Sequence, residues 1–416
     1  MRDSGGFLFA YGLAALALIG CGDTNVTVYC DGGGTGGTQI ESVVCQGSLC
    51  PCTEDGVRAA IAAGGGPYAF ACGAPTTVET QSEIVIDNDV ILDGAGELTL
   101  DGRDSHLVLS VASGVNAQLR GFVVTRGLET GILNAGTLAI SDSTVSESGG
   151  GFGGGGVLNA RGAAMSITNS TISGNSAYDG GGGIANDKTA TMTITNTTVS
   201  GNTASEGGGV HNWGTLTMTG VLIAGNSVSP GGSLGEGGGI ANWGTLVLTN
   251  STVSGNASTA GGGGIFNTDD GGAGTLTSIN TTVSGNSADS GAAGMFTMGG
   301  SVTLTSTIVD GDCDGGVASR GYNIESPADT CGFDEVGDQA GVNADDLKLG
   351  QLQDNGGLTE TLALGDGSVA IDQVPEFACI DADSQLLKTD QRGEPRPAGV
   401  DAECDVGSFE VQGGGM

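Results

Sequence analysis

The chain has 416 residues, with 82 glycines, 12 Lys+Arg against 47 Asp+Glu, and a formal net charge of −35. That charge repels nucleic acid and anionic membrane surfaces alike, so neither is expected to bind the folded body. So much glycine would suit a disordered chain, but 38% hydrophobic residues arranged in regular columns argue for a folded, turn-rich β protein.

In chain order, residues 1–21 read as an export signal. Phe7 to Ile19 is apolar yet too short to span a bilayer, with Arg2 ahead of it and Leu18-Ile19-Gly20-Cys21 at its end. This ending resembles the lipobox of bacterial lipoproteins. The resemblance implies that Cys21 is lipidated and that a membrane is a partner through that anchor. Gly22 follows the cysteine where an Asp would imply inner-membrane retention, so the outer membrane and the cell surface are the expected location; ordinary secretion is the other reading. Residues 22–39 are rich in Gly, Thr and Asp and have the composition of a flexible tether.

Residues 40–83 form a cysteine-rich N-terminal cap. Thr53 is placed to cap a helix, Glu54 and Asp55 supply an acidic first turn, and Val57, Ala60 and Ile61 make one apolar stripe before Gly64. Such a short helix suits a plug for the open end of a stack of strands, whose bare edge would otherwise aggregate. With Cys21 set aside, nine of the 10 cysteines remain, all before or after the best repeats, as an oxidising compartment allows. Sequence alone does not settle connectivity. The expected pairs are local: Cys52–Cys72, Cys313–Cys331 and Cys379–Cys404, with the rest unassigned and, nine being odd, one cysteine left over. Cys50-Pro51-Cys52 is not redox spacing, so structural bridges are expected.

Residues 84–320 carry the repeats. Irregular coils with turns at Asp93-Gly94 and Asp101-Gly102 lead into a unit that recurs between Gly127 and Asp312; Gly237–Asn256, GGGIANWGTLVLTNSTVSGN, shows it best. The column Asn134, Asn159, Asn186, Asn212, Asn242, Asn267 gives steps of 25, 27, 26, 30 and 25 residues, the signature of a solenoid. Leu246 and Leu248 alternate with Val247 and Thr249, a strand period rather than a helical one. Stacking puts Ile132, Val157, Ile184, Val210, Ile240 and Ile265 in one inward column, Leu138 through Val302 in a second and Val145 through Val309 in a third. One coil alone buries too few aliphatics to offset the entropy of ordering it, so consecutive repeats must stack. Asn169, Asn196, Asn250 and Asn280 share one turn column, and Asn175, Asn202, Asn226, Asn256 and Asn286 another. Both are expected to form amide stacks. Several of these asparagines also spell Asn-x-Ser/Thr, and recurrence in register with the turn favours the stack over a sugar.

GGGI paired with TVSGN resembles the GGAI and FxxN repeats of polymorphic outer membrane proteins, within the pectin-lyase-like family of right-handed β-helices, from roughly Ile84 to Asp314. The implied fold is an all-β, right-handed parallel β-helix solenoid; those repeats are scaffolding and imply no reaction. Residues 321–416 run GYNIES, LGQLQDNGGLTETLAL, TDQRGEPRP and CDVGSFE. This order of motifs resembles the choice-of-anchor Q domain and implies a disulfide-containing C-terminal cap.

The same superfamily includes enzymes that cut acidic polysaccharides. Asn267-Thr268-Asp269-Asp270 resembles two polygalacturonase elements run together, but the only histidines are His106 and His211 and no Gly-His-Gly occurs. Asp269 and Asp270 also sit in a long turn, where solvated acids are expected. Arg103, Arg120, Arg126, Arg161 and Lys188 are scattered rather than clustered into a lyase base, and Arg392 and Arg396 are expected to pair with acids of the C-terminal segment. His211 reads as a lone exposed histidine. Trp213 and Trp243 recur at one position of adjacent coils and should stack, either as a carbohydrate-binding platform or as a cross-coil pair that stabilises the turn. Asp310, Asp312 and Asp314 alternate before Gly315 like a calcium loop, and would make calcium a structural ion; Asp381 and Asp383 are weaker candidates. No other cofactor is required.

The sequence therefore predicts a non-enzymatic surface lipoprotein that displays a β-helix for adhesion or envelope structure, with extracellular glycans or surface proteins as partners. The alternative is a polysaccharide lyase or glycoside hydrolase. An enzyme should gather several acids and a base on one concave face across three adjacent coils.

Overall fold

The computed structural model describes residues 45–229, 236–269, 271, 274–397 and 403–412. Cys21, the apolar leader, the tether with Cys30, and Asp270 lie outside the described residues.

One coil shows how the sequence folds. Ile240–Asn242 is a short strand, Gly244 turns the chain into Thr245–Thr249, Asn250 bends it into Thr252–Ser254, and Gly255 leads to Ala257–Ser258. Repeating these elements builds a ten-stranded, a twenty-stranded and a seven-stranded sheet. The twenty-stranded sheet holds two strands per coil, because Val90–Asp101 and Asn116–Thr125 run through both positions without a break. Pairing between coils is parallel and in register: Leu246 lies between Leu216 and Leu276, Val253 between Ile223 and Val283, and Ile240 between Val210 and Ile265. All nine are buried and belong to one core that runs the length of the stack. The three inward columns read from the sequence are therefore the core.

The two asparagine columns differ. Asn169, Asn196, Asn250 and Asn280 hold φ between 46° and 49° at the corner between the two strands of the twenty-stranded sheet. Asparagine tolerates this left-handed backbone, so the column is selected by the turn. Its amides barely meet; Asn196 Nδ2 is 3.5 Å from Asn169 Oδ1. The other column is a buried ladder from Asn175 through Asn202, Asn226 and Asn256 to Asn286, with Nδ2–Oδ1 distances of 3.0, 3.0, 3.0 and 2.9 Å. A second buried ladder runs from Asn134 to Asn267 at 2.7 to 2.9 Å per step. The stacked amides also bond backbone carbonyls of the neighbouring coil, as Asn226 Nδ2 bonds Val199 O, in a strand, at 3.0 Å.

Helix α1 (Glu54–Ala63) closes the N-terminal end. Thr53 caps it by accepting from Gly56 N, and its buried Val57, Ala60 and Ile61 join the main core beside Phe70. Burying Val57 and Ile61 contributes about 1.5–3 kcal/mol each. Cys52–Cys72 and a further bridge, Cys45–Cys50, staple this end; Cys313–Cys331 and Cys379–Cys404 staple the other. At the C-terminal end the last coil is Val317–Ser319 with Ile324–Pro327, and Cys331 and Phe333 cover the core beyond it. Described residues beyond Phe333 then double back along the asparagine corner. Gly407 N donates to Ser306 O, Ser408 N to Thr282 Oγ1, Asn250 Nδ2 to Thr389 O and Thr359 Oγ1 to Gly220 O, at 2.9, 3.1, 2.7 and 3.2 Å. The cap read from the sequence is thus also a flank buttress, with its own apolar cluster around Leu347, Val374, Val406 and Phe409.

Candidate functional site

Along each strand of the ten-stranded sheet side chains alternate. The residue after the inward aliphatic points out, giving a column Leu158, Ala185, His211, Ala241, Phe266 and Phe296. On one side the chain enters through the glycine run. A Cβ on Gly208 would come within 2.4 Å of Ser227 O, so the run lets backbone lie on backbone between coils. Ahead of the run, most coils carry glycine where two consecutive coils carry Glu206 and Glu236. Gly207 N bonds Glu236 O at 3.1 Å, which sets the two glutamates on neighbouring coils, a spacing of about 4.8 Å.

Of these, Leu158, Ala185, Glu206 and His211 face a groove of about 470 Å³ lined also by Phe152, Asp179, Asp187 and Trp213. Glu206, His211 and Glu236 are 7%, 8% and 8% exposed. Burial pushes the Glu236 carboxyl up to about 7, with the neighbouring Glu206 charge adding to it. Glu206 is raised as well, by burial and then by Asp179. Burial holds His211 down to about 4, so at neutral pH it is an uncharged imidazole. Among the described residues, neither His211 Nε2 nor Glu236 Oε2 has a hydrogen-bond partner. Buried polar atoms in that state normally find one.

Two sequence expectations change here. His211 is not a lone exposed ring; it meets Trp243 edge-on at 4.6 Å and Trp213 at 5.9 Å. Trp213 and Trp243 do stack, at 5.2 Å and 16°, but Trp243 is 4% exposed and packs against Ala241 and Phe266. Trp213 is half-buried, with Lys188 Nζ 4.1 Å from its ring. A pair of exposed tryptophans is therefore ruled out by the aromatic packing around Trp243. The exposed aromatic pair lies elsewhere: Phe152 and Tyr178, 86% and 69% exposed with centroids 6.1 Å apart, on the paired strands Gly149–Phe152 and Ser176–Asp179. The sequence signal was slight, two aromatics just before glycine runs on consecutive coils.

Asp310, Asp312 and Asp314 do not converge. Asp310 Oδ2 accepts from Ser284 Oγ at 2.6 Å, Asp312 Oδ1 caps Ala293 N at 2.6 Å, and Asp314 is exposed on the next strand. Two of the three carboxylates are already held by the preceding coil, and no cluster able to hold a metal occurs among the described residues. Asp269 is exposed while Asn267 points inward as the last rung of its ladder, so the Asn-Thr-Asp run shares no face. Arg120 and Arg103 pair with Asp142 and Glu79 at 3.3 and 3.7 Å, and Arg126 pairs with Asp101. Arg392 and Arg396 pair with Asp390 and Glu410 at 2.7 and 3.0 Å. A broader hollow of about 640 Å³ over Ala139, Ser166 and Thr193 is lined by one ionisable side chain, Asp89.

The raised Glu236 carboxyl has a consequence for stability. The folded state keeps a proton that the unfolded chain releases near pH 4.5, so stability falls as pH rises toward about 7. Glu236→Gln removes this cost, and at pH 8 should stabilise the protein by on the order of 2 kcal/mol while changing little at pH 4. Thermal unfolding of both proteins at the two pH values checks it; an equal effect at both would refute the assignment.

No family model matches the chain, and comparison with curated proteins gives no match. Among solved structures it is similar to the crystal structure of pectate lyase Pel9A, with a TM-score of 0.54 and 16% sequence identity, over 89% of this chain and 98% of that one. Likeness at this identity establishes the fold: a pectate-lyase-like right-handed parallel β-helix.

Proposed function

We propose that this protein is a glycan-binding β-helix, lipid-anchored at a bacterial cell surface through Cys21, that holds a saccharide without cutting it. The observation that carries the reading is the groove beside the exposed Phe152–Tyr178 pair, with Trp213 among its lining residues. Exposed rings on a rigid sheet offer flat apolar faces to sugar rings, and the carboxylates and the neutral His211 can bond hydroxyls.

Hydrolysis is the second reading, because Asp179, Glu206 and His211 line one groove from two consecutive coils, with Glu236 on the next coil behind Glu206. Against it, an acid–base pair needs environments that push the two pKa values apart. Here burial moves both glutamates the same way.

The test uses the detergent-solubilised full chain on an array of neutral, acidic and amino glycans, with calcium and with chelator, reading both binding and released products. Binding without products is expected, weakened about tenfold by Phe152→Ala. Released oligosaccharides would replace binding by catalysis, and silence on every glycan would end the reading. Membrane fractionation of Cys21→Ala should find the protein released; retention would remove the anchor.

A further inference from the structure

Building on the glycan-binding reading, we infer that the groove selects an amine-bearing saccharide, whose ammonium sits against Glu206 and Asp179 while His211 Nε2 bonds a neighbouring hydroxyl. Three observations lead there.

The first is charge. Asp179, Asp187 and Glu206 line the groove and Glu236 stands behind Glu206 on the next coil, yet none of the four belongs to an ion pair among the described residues. An isolated buried carboxylate is costly, and a cation arriving from outside relieves that cost. A uronate polymer would be repelled by the same acids and by the net charge of −35.

The second is His211. It is 8% exposed, lines the groove and leaves Nε2 without a partner among the described residues. A neutral imidazole can serve a hydroxyl as donor or acceptor without adding positive charge that would compete with an ammonium.

The third is Lys188. Its Nζ already lies 4.1 Å from the Trp213 ring and 3.5 Å from Gly271 O. The aromatic wall of this groove therefore holds an ammonium within the folded chain itself, and the freely exposed faces of Phe152 and Tyr178 offer the same interaction to a ligand.

The experiment compares a glucosamine tetramer, its fully N-acetylated counterpart and an oligogalacturonate, by calorimetry on the full chain. The free-amine form should bind about tenfold tighter than the N-acetylated form, and the advantage should shrink as salt rises. Glu206→Gln should abolish the advantage while N-acetylated binding persists. If that variant fails to fold, Asp179→Asn at the exposed rim reads the same contact. Equal affinity for the two forms would overturn the amine selectivity and leave glycan binding standing. Failure of all three saccharides would overturn both, and preference for the oligogalacturonate would reverse the charge argument.

Discussion

Arg396→Ala should lower the unfolding free energy by about 3–5 kcal/mol, the cost of leaving a buried partner charge uncompensated. Arg396 and Glu410 have side chains 0% and 1% exposed and lie 3.0 Å apart. The guanidinium also donates to Gly407 O at 2.9 Å and reaches Asn250 Oδ1 at 3.5 Å, so it ties the returning C-terminal segment to the asparagine corner. Burial depresses the Arg396 pKa, and the Glu410, Asp390 and Asp405 charges pull it back. Without the guanidinium those acids face one another in a dry interface. Denaturant unfolding combined with limited proteolysis checks this: the C-terminal segment should become cleavable well before the coils do. A loss below about 1 kcal/mol would show that the segment is held mainly by its apolar cluster. Arg396→Lys keeps the charge but not the fork, and should fall between the two.

The second large effect is expected in the interior ladder. Asn226→Leu removes the acceptor used by Asn202 N and Asn202 Nδ2, both at 3.0 Å, and the donor to Val199 O. At about 1–3 kcal/mol for each buried group left unmet, the loss should be about 4 kcal/mol. Asn169→Ala at the exposed corner gives the contrast. Its amide makes two long contacts, 3.4 Å to Asp142 Oδ1 and 3.5 Å from Asn196 Nδ2, so little beyond the left-handed backbone preference is lost, about 1 kcal/mol. Unfolding midpoints of the two variants measured side by side decide the matter, and equal losses would refute the distinction between the columns. The distinction also bears on the sequons: Asn169 is exposed, whereas Asn250 is buried under Thr389.

Much of this architecture was open to reading from the chain. Helix α1 was visible from Thr53, the two acids and the Val57-Ala60-Ile61 stripe, because capping and amphipathicity are local properties. The bridges Cys52–Cys72, Cys313–Cys331 and Cys379–Cys404 close loops of 20, 18 and 25 residues and were the expected local pairs. The site was read less well. Trp213 and Trp243 drew attention because they repeat, whereas Phe152 and Tyr178 sit one residue out of step: Phe152 pairs with Asp179 across an irregular register. Asp310, Asp312 and Asp314 looked like ligands because spacing in sequence stood in for spacing in space. The strand and corner at Val309–Cys313 send them apart.

What the sequence determined by itself was the coil: its inward columns, its left-handed asparagine corner, its glycine run and its stapled ends. In a parallel stack each residue meets its own counterpart one repeat away, as Leu246 meets Leu216 and Leu276, so the local pattern already contains the tertiary contact. What only the tertiary structure decided was which polar groups lose water. Glu206, Glu236 and His211 are buried by the way neighbouring coils and aromatic rings close around them, and Arg396 by a segment that returns across 146 residues to reach Asn250. Those contacts follow no period, and desolvation depends on everything that surrounds a group rather than on its neighbours in the chain.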